Sequence, residues 1–486
     1  MIANLKPYAA YKDSGVEWLG KVPAHWEVRR LKQVARLNPG KTEASALLEQ
    51  NAPVTFLPME RVYADGRIEA TEHLPISSVW NGFTYFRRGD VIVAKITPCF
   101  ENGKGACLYT LPTEVGFGST EFHVLRAANS IRAPFLYRIT TLPDFRRLGA
   151  DEMTGAAGQQ RVPASFIANF TVPCPPLPEQ TAIVRFLDYM DRRIRRYTRA
   201  KQKLIKLLEE YRQALIHQAV TGQIDVRTGQ PYPAYKPSGV EWLGEVPAHW
   251  ELKPLKRWVR INASVLPDTT PADYEFRYID IGTVGTGFLT REPPQLRFGN
   301  APSRARRVLH MGDTIISTVR TYLKAVYYVD RDAEALVCST GFAVLTPGPS
   351  TQPKYVSYLV QSNTFTDRVT AESVGTAYPA IAEGRLGSFY VPIPPLPEQT
   401  AIVEYLDAQT ARLDAAMAAA RREIELLREY RERLIADVVT GKVDVREIAA
   451  QLPEETEEET EPLEEETTSI EETDVEESEE ETDGEE

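Results

Sequence analysis

Residues Ala35-Arg-Leu-Asn-Pro-Gly40-Lys41-Thr42 come within one letter of a phosphate-binding loop, where glycine-rich backbone and a Lys cradle a nucleotide. The departure falls on the first glycine, replaced by Ala35, and the cradle's turn depends on it. The matching place in the second half of the chain, around Asn262-Ala263-Ser264, has no Gly-Lys-Thr. Nucleotide hydrolysis is therefore not expected. The six histidines (His25, His73, His123, His217, His249, His310) form no H-x-x-x-H or H-E-x-x-H. The four cysteines (Cys99, Cys107, Cys174, Cys338) form no C-x-x-C, which argues against a zinc knuckle or a disulfide framework. A DNA methyltransferase needs a glycine-rich cofactor turn and an Asn/Asp-Pro-Pro-aromatic turn, and Asn38-Pro39-Gly40 is not that turn. The chain reads as non-catalytic, with no metal site.

Nucleic-acid binding fits the residues better. The net charge of −12 misleads, because 20 of the 68 acidic residues fall between Pro453 and Glu486, where there is no Lys or Arg. Without them, 48 acidic residues face 56 basic ones, a body charge of +8. Binding to DNA needs Lys and Arg for phosphates, and Arg, Asn, Gln, Ser or Thr on loops that reach base edges. In the first half, Lys95, Thr97, Asn102 and Lys104 follow the strand-like run Val91-Ile92-Val93-Ala94. Gln159, Gln160 and Arg161 follow a turn containing Gly155 and Gly158. In the second half, Ser317, Thr318, Arg320, Tyr322 and Lys324 follow Thr314-Ile315-Ile316. Arg304, Arg306 and Arg307 form a basic cluster, and Thr376 and Tyr378 come after Gly375. These are the candidate DNA contacts.

The elements that must position them are duplicated. Residues 11–32 return at 235–256 with few changes, and Pro-Pro-Leu-Pro-Glu-Gln-Thr-Ala-Ile-Val at 175–184 returns letter for letter at 394–403. The middles diverge, with short β-branched runs between Gly, Pro and Asn turns. Faint echoes remain: Gly89-Asp90 answers Gly312-Asp313, and Ser119-Thr120 answers Ser339-Thr340. The expected fold is α+β, two tandem pseudo-symmetric halves, each a globular domain followed by a long helix. Its parts are a first recognition domain (1–174), a first spacer helix (175–222), a second domain (223–393), a second spacer helix (394–445) and a disordered acidic tail (446–486).

The first helix places Ile183, Leu187, Met190, Ile194, Tyr197, Lys201, Leu204, Leu208, Tyr211 and Leu215 at alternating spacings of four and three, a heptad seam. The second offers Ile402, Leu406, Gln409, Leu413, Ala416, Ala420, Glu423, Leu427, Tyr430 and Leu434, a weaker seam able to drift onto Met417 and Ile424. Residues 177–221 carry 10 basic and 5 acidic groups, residues 396–440 carry 6 and 9, so the two helices favour each other. Connectivity makes the pair antiparallel. Pro178 and Pro397 suit the first helical turn, Glu179 and Glu398 the positive end of the helix dipole, and Gly222 and Gly441 a left-handed cap. About 40 residues span ~60 Å, enough to separate two readers by a helical turn of duplex, roughly 34–36 Å, or more.

The two Val-Pro-Ala-His-Trp segments, each preceded by Ser-Gly-Val-Glu-Trp-Leu-Gly, resemble the repeat openings of specificity subunits of bacterial type I restriction-modification systems. So do the paired Pro-Pro-Leu-Pro-Glu-Gln-Thr helices ending in Thr-Gly-x-Ile/Val-Asp-Val. The resemblance runs to about Val445. It implies that each middle is a target recognition domain reading one half of a bipartite, asymmetric site in double-stranded DNA. The helices become the ruler and the platform for two methyltransferase subunits and for restriction (motor-nuclease) subunits. S-adenosylmethionine, ATP and Mg²⁺ then belong to those partners, with no cofactor on this chain. No apolar run reaches the ~18–20 residues of a membrane span, and the cytoplasm is the expected compartment.

Overall fold

The computed structural model describes residues 5–453 apart from 157, 241, 331–333 and 377. The chain forms two compact units: residues up to Ile194 together with those from Glu429, and Arg195–Arg428. The first unit carries strands β1 (Ala35–Leu37), β2 (Pro53–Leu57), β3 (Glu72–Pro75), β4 (Thr84–Arg87), β5 (Val91–Ala94), β6 (Gly105–Cys107), β7 (Val115–Gly118) and β8 (Phe122–Ala127). They make two four-stranded sheets, ordered β3-β2-β7-β4 and β1-β8-β5-β6. Only β2 and β7 pair in parallel within them.

The second unit repeats this plan. Its strands are β9 (Val259–Ile261), β10 (Glu275–Ile279), β11 (Gln295–Arg297), β12 (Ala305–Val308), β13 (Thr314–Ser317), β14 (Val326–Tyr328), β15 (Leu336–Ser339) and β16 (Phe342–Pro347). The sheet orders are β11-β10-β15-β12 and β9-β16-β13-β14, and the parallel pair falls again on the second and seventh strands of the set. The α+β duplication expected from the sequence is the observed fold.

The faint echoes mark equivalent turns. Gly89 and Gly312 take φ of +86° and +91° where the chain enters β5 and β13. Asp90 and Asp313 are buried behind them, each carboxylate accepting a backbone N–H three residues back, from Arg87 at 2.9 Å and His310 at 2.8 Å. Ser119 and Ser339 each accept the N–H two residues on, both at 3.2 Å. β5 and β13 are buried along their whole length, which is why they read as continuous apolar or small-residue runs rather than as alternation.

The phosphate-loop lookalike turns out to be a strand-edge turn. Asn38 sits at φ +46° and its side-chain oxygen accepts the N–H of Val124 at 2.9 Å. Asn262 does the same with Val344 at φ +56° and 2.8 Å. Asn tolerates the left-handed region because its short side chain bonds locally. The Lys41 ammonium lies 5.0 Å from the Trp80 ring centroid and donates to the Trp80 carbonyl at 2.5 Å and to Asn81 at 3.1 Å.

Helix α1 spans Leu177–Val220 and α2 spans Leu396–Val439. In the first unit Ile183, Phe186, Leu187 and Met190 of α1 share a core with Leu434, Ile435, Val438 and Val439 of α2. In the second, Leu215, Ile216, Ala219 and Val220 share one with Ile402, Val403 and Leu406. The start of each helix thus packs with the end of the other, as an antiparallel pair requires. The compact units therefore divide within both helices, at Ile194 and Arg428.

The seam needs one correction. Ile194, Lys201, Leu208 and Leu215 are at least partly buried, but Tyr197, Leu204 and Tyr211 are exposed, Leu204 by 40%. The second stripe lies one residue later, on Thr198, Ile205 and Arg212. On α2 the seam drifts as allowed, onto Thr410, Met417, Ala420 and Ile424 with Leu413 and Leu427 half-buried. Polar seam positions are met across the pair: Lys201 pairs with Glu423 at 2.7 Å and Arg212 with Asp414 at 3.6 Å. Arg421 reaches Glu209 at 3.0 Å, a bridge of opposite polarity, so net helix charge alone does not describe the pairing.

Both helices end in a Schellman cap. Gly222 and Gly441 take φ of +74° and +79°. The residues after them, Gln223 and Lys442, donate back to Gln218 and Asp437, 2.9 and 2.8 Å. The stretch assigned to a disordered tail begins with helix α3 (Arg446–Gln451), whose Ala449 is buried with Ile448 and Leu452 against the first unit's core. The rest of that stretch, from residue 454, lies outside the described residues. Among the described residues no helix is long and apolar enough to cross a membrane.

Candidate nucleic-acid interface

In each domain the two loops nominated by the sequence lie side by side. After β5, Ile96 pairs with Arg161, and Arg161 also pairs with Thr154, so the glycine turn hairpin is stitched to the post-strand loop. After β13, Val319 pairs with Ala380, and Ala380 with Val374, in the same arrangement. Gly155 and Gly375 make equivalent turns at φ +131° and +117°. Backbone bonds complete each junction: Val162 donates to the Lys95 carbonyl at 2.8 Å, and Ile381 to the Thr318 carbonyl at 2.8 Å.

Their chemistry differs. In the first domain the Arg161 guanidinium grips Glu121 with two bonds of 2.9 Å. That grip holds the Glu121 carboxyl below the usual carboxylate range. Behind it, buried His123 donates through Nε2 to the Val162 carbonyl at 2.9 Å. A carbonyl only accepts, so Nε2 carries the proton, and burial holds the ring's pKa down. Thr97 donates its hydroxyl to the Met153 sulfur at 3.3 Å and its N–H to the Gln160 carbonyl at 3.0 Å. Lys104 is half-buried beside the Met59 carbonyl, Lys95 and Gln160 are half-buried, and Asn102 and Gln159 are exposed.

In the second domain three nominated residues lie inside. Ser317 and Thr318 are 2% and 5% exposed, with the Thr318 hydroxyl on the Gly341 carbonyl at 2.9 Å. Arg307 is buried against Glu383. These side chains support the loops: Ser317 ends the fully buried β13, and Arg307 lies on the buried one of the two alternating faces of the edge strand β12. Arg306 lies 4.5 Å from the Phe298 ring and 3.8 Å from Asp268. Lys324 pairs with Asp367 at 2.6 Å, while Arg304, Arg320, Tyr322, Thr376 and Tyr378 are exposed.

One constellation escaped the sequence reading. Glu179, read as a helix-dipole partner, is a buried hub. It accepts the Trp26 indole N–H at 2.7 Å, sits 2.6 Å from His25 Nε2, and takes Arg446 at 3.1 Å and the Tyr8 hydroxyl at 3.5 Å. Glu398 repeats it with Trp250 at 2.9 Å, His249 at 2.9 Å, Arg227 at 3.5 Å and Tyr232 at 3.2 Å. Each hub ties a repeat opening to the start of one long helix and, through the Asp-Val-Arg after the Thr-Gly, to the end of the other. The duplicated Asp225-Val-Arg227 and Asp444-Val-Arg446 were the available signal. Among the described residues no His, Cys, Asp and Glu group is arranged to hold a metal ion.

Known proteins point the same way. The family model described as "Type I restriction modification DNA specificity domain" matches residues 23–207 and 299–426. The type I restriction enzyme EcoAI specificity subunit of Escherichia coli is 38% identical over 174 residues, 35% of this chain and 29% of that protein. The EcoEI specificity subunit of Escherichia coli is 36% identical over 168 residues, 34% and 27%. This chain thus covers under a third of the length of either relative. A putative type I restriction enzyme MjaX specificity subunit of Methanocaldococcus jannaschii is 22% identical over 437 residues, 88% of this chain and 96% of that one. A solved structure titled "Structural basis underlying complex assembly and conformational transition of the type I R-M system" superposes with a TM-score of 0.66 at 19% identity. It covers 86% of this chain and 98% of its own. With the family model matching more than half of it, the chain belongs to the type I restriction-modification DNA specificity family.

Proposed function

We propose that this chain is the DNA-reading and assembly subunit of a type I restriction-modification complex. It recognises a bipartite, asymmetric site in double-stranded DNA and directs methylation or cleavage by partner subunits. The observation that carries the reading is one frame with two readers: identical sheet orders and hubs hold paired loops whose exposed residues differ. Asn102 and Gln159 stand on the first pair, Arg320, Tyr322 and Tyr378 on the second. Unlike readers on like frames suit an asymmetric site. The long helices are the platform for two methyltransferase subunits and for restriction subunits, and S-adenosylmethionine, ATP and Mg²⁺ serve those partners.

The test is to map methylated positions in DNA exposed to this chain with its methyltransferase subunits. Two short sequences separated by a fixed unspecified gap are expected. Inserting whole turns into both α1 and α2 should lengthen the gap and leave both short sequences unchanged. Sequence-indifferent binding, with and without the partners, would make the chain a protein scaffold instead.

A further inference from the structure

We propose that Arg320 reads a guanine in the half-site of the second domain, an inference that rests on the DNA-reading function above. The loop carrying it is held in an unusual shape. Arg320 and Lys324 both take the left-handed conformation, φ +50° and +49°, which a residue with a Cβ adopts only at a cost. The surroundings enforce it. The Thr321 hydroxyl bonds the Ser373 hydroxyl at 2.8 Å, the Thr370 hydroxyl donates to the Thr321 carbonyl at 3.3 Å, and Val319 pairs with Ala380. Such imposed strain gathers where a side chain must be aimed.

The aim is visible in the side chain. The Arg320 guanidinium lies over the ring of Tyr378, 4.8 Å from its centroid, and both residues are exposed, Tyr378 by 65%. Among the described residues it has no carboxylate partner, whereas Arg161, Arg306, Arg307 and Lys324 each have one. A contact through the ring face consumes no N–H. The guanidinium is therefore oriented with its planar donor fork still available, the geometry that matches the O6 and N7 acceptors of guanine in the major groove. A phosphate can take the same fork but is met equally by a flexible point charge such as Lys. Fixing the fork on a strained loop against an aromatic ring therefore favours a base edge, and the salt dependence tells the two apart. In the first domain the nearest equivalent guanidinium, Arg161, is instead spent on Glu121.

The experiment compares methylation-site maps for the full chain assembled with its methyltransferase subunits, as wild type, Arg320→Ala and Arg320→Lys. One guanine in one half-site should lose its preference by roughly 5- to 150-fold in Arg320→Ala. Arg320→Lys keeps the charge but not the fork, so it should retain overall affinity while losing most of that preference; it also serves if Arg320→Ala fails to assemble. The other half-site and the gap should not change. An unaltered motif in both variants overturns the proposal. So does a uniform loss of affinity across all sequences with a shallower salt dependence, the mark of a phosphate contact. A wild-type complex that yields no bipartite motif overturns the proposed function itself, and is told apart from these outcomes because it appears before any substitution is made.

Discussion

The same joint is locked differently in the two halves. In the first, Arg138 of the helix Ala133–Thr140 reaches Asp191 at 2.6 Å and Asp188 at 2.5 Å on α1, and Arg431 of α2 closes on Asp191 at 2.9 Å. In the second, the helix Pro353–Gln361 brings Tyr358 to Asp407 at 2.6 Å and Thr410 at 3.3 Å on α2. Asp188 and Asp191 stand where Asp407 and Thr410 stand in the repeat. The duplication has kept one side chain facing two polar groups a helical turn apart. The Tyr358 hydroxyl gives its single proton to Asp407 and accepts from Thr410, while Lys354 adds an ion pair to Asp407 at 2.8 Å. A buried ionic network has become a mixed one on a half-buried carboxylate. The frame preserves the geometry and one acidic position, and the second acid is exchanged for a hydroxyl.

That difference predicts unequal costs. Asp191→Ala leaves Arg138 buried with half its partners, and breaking a buried pair in this way costs about 3–5 kcal/mol. Thr410→Val removes one neutral hydroxyl bond and should cost only about 1 kcal/mol. Denaturant unfolding of the full chain, with hydrogen exchange to assign each loss to its unit, measures both. Equal losses would mean that the two locks are energetically the same.

Acid should separate the halves as well. Burial pushes Asp191 up, but Arg138 and Arg431 outweigh it and hold the carboxyl below its ordinary value. A depressed carboxylate stabilises the fold above its unfolded pKa of ~3.9, and that contribution is lost as the pH falls through the folded value. Thr410, in the place of Asp191, does not titrate, and the carboxylate left in the second lock, Asp407, is 39% exposed where Asp191 is 4%. Exchange protection around Ala133–Thr140 should therefore fail before that around Pro353–Gln361 as the pH drops below about 4. Simultaneous loss would show that other carboxylates control acid unfolding.

Where the halves agree, substitutions should agree too. A Cβ on Gly222 would meet Pro247 and Trp250, and one on Gly441 would meet Pro23 and Trp26, in each case from a left-handed residue. Gly222→Ala and Gly441→Ala should each cost about 2 kcal/mol, to within a few tenths of each other. A large disparity in their unfolding midpoints would break the equivalence of the two closures.

The parts of this fold that were legible in the sequence are those that duplication exposes. Equal ends flanked unequal middles, so tandem halves, two long helices and glycine caps could be read directly. The seam's phase could not. Tyr197, Leu204 and Tyr211 are the apolar choice, and the observed stripe on Thr198, Ile205 and Arg212 is stabilised partly by ion pairs to a helix distant in sequence. Glu179 and Glu398 were obscured because the helix dipole already explained a first-turn carboxylate. The two loop pairs were found as groups, but Arg307, Ser317 and Thr318 were misplaced, since polarity signals a surface and does not reveal which positions of a strand and its flank are turned inward.

The finest contrast lies between the reader loops, and it can be sharpened by freeing Arg161. Glu121→Gln keeps the shape of the acceptor but removes its charge, so the guanidinium is no longer neutralised where it faces solvent. Exposed ion pairs contribute little to folding, and the melting temperature should barely move. DNA binding should respond instead. If the first domain's glycine turn lies against the duplex, a released cation adds a phosphate contact, and the logarithmic salt slope should steepen by about 0.9. Non-specific affinity should rise at low salt while the mapped half-sites stay the same, because a single flexible cation on a phosphate carries no sequence information. A salt slope equal to that of the wild type would place the Arg161 turn away from DNA, and the first domain would then have to read its half-site from Asn102 and the post-strand loop alone.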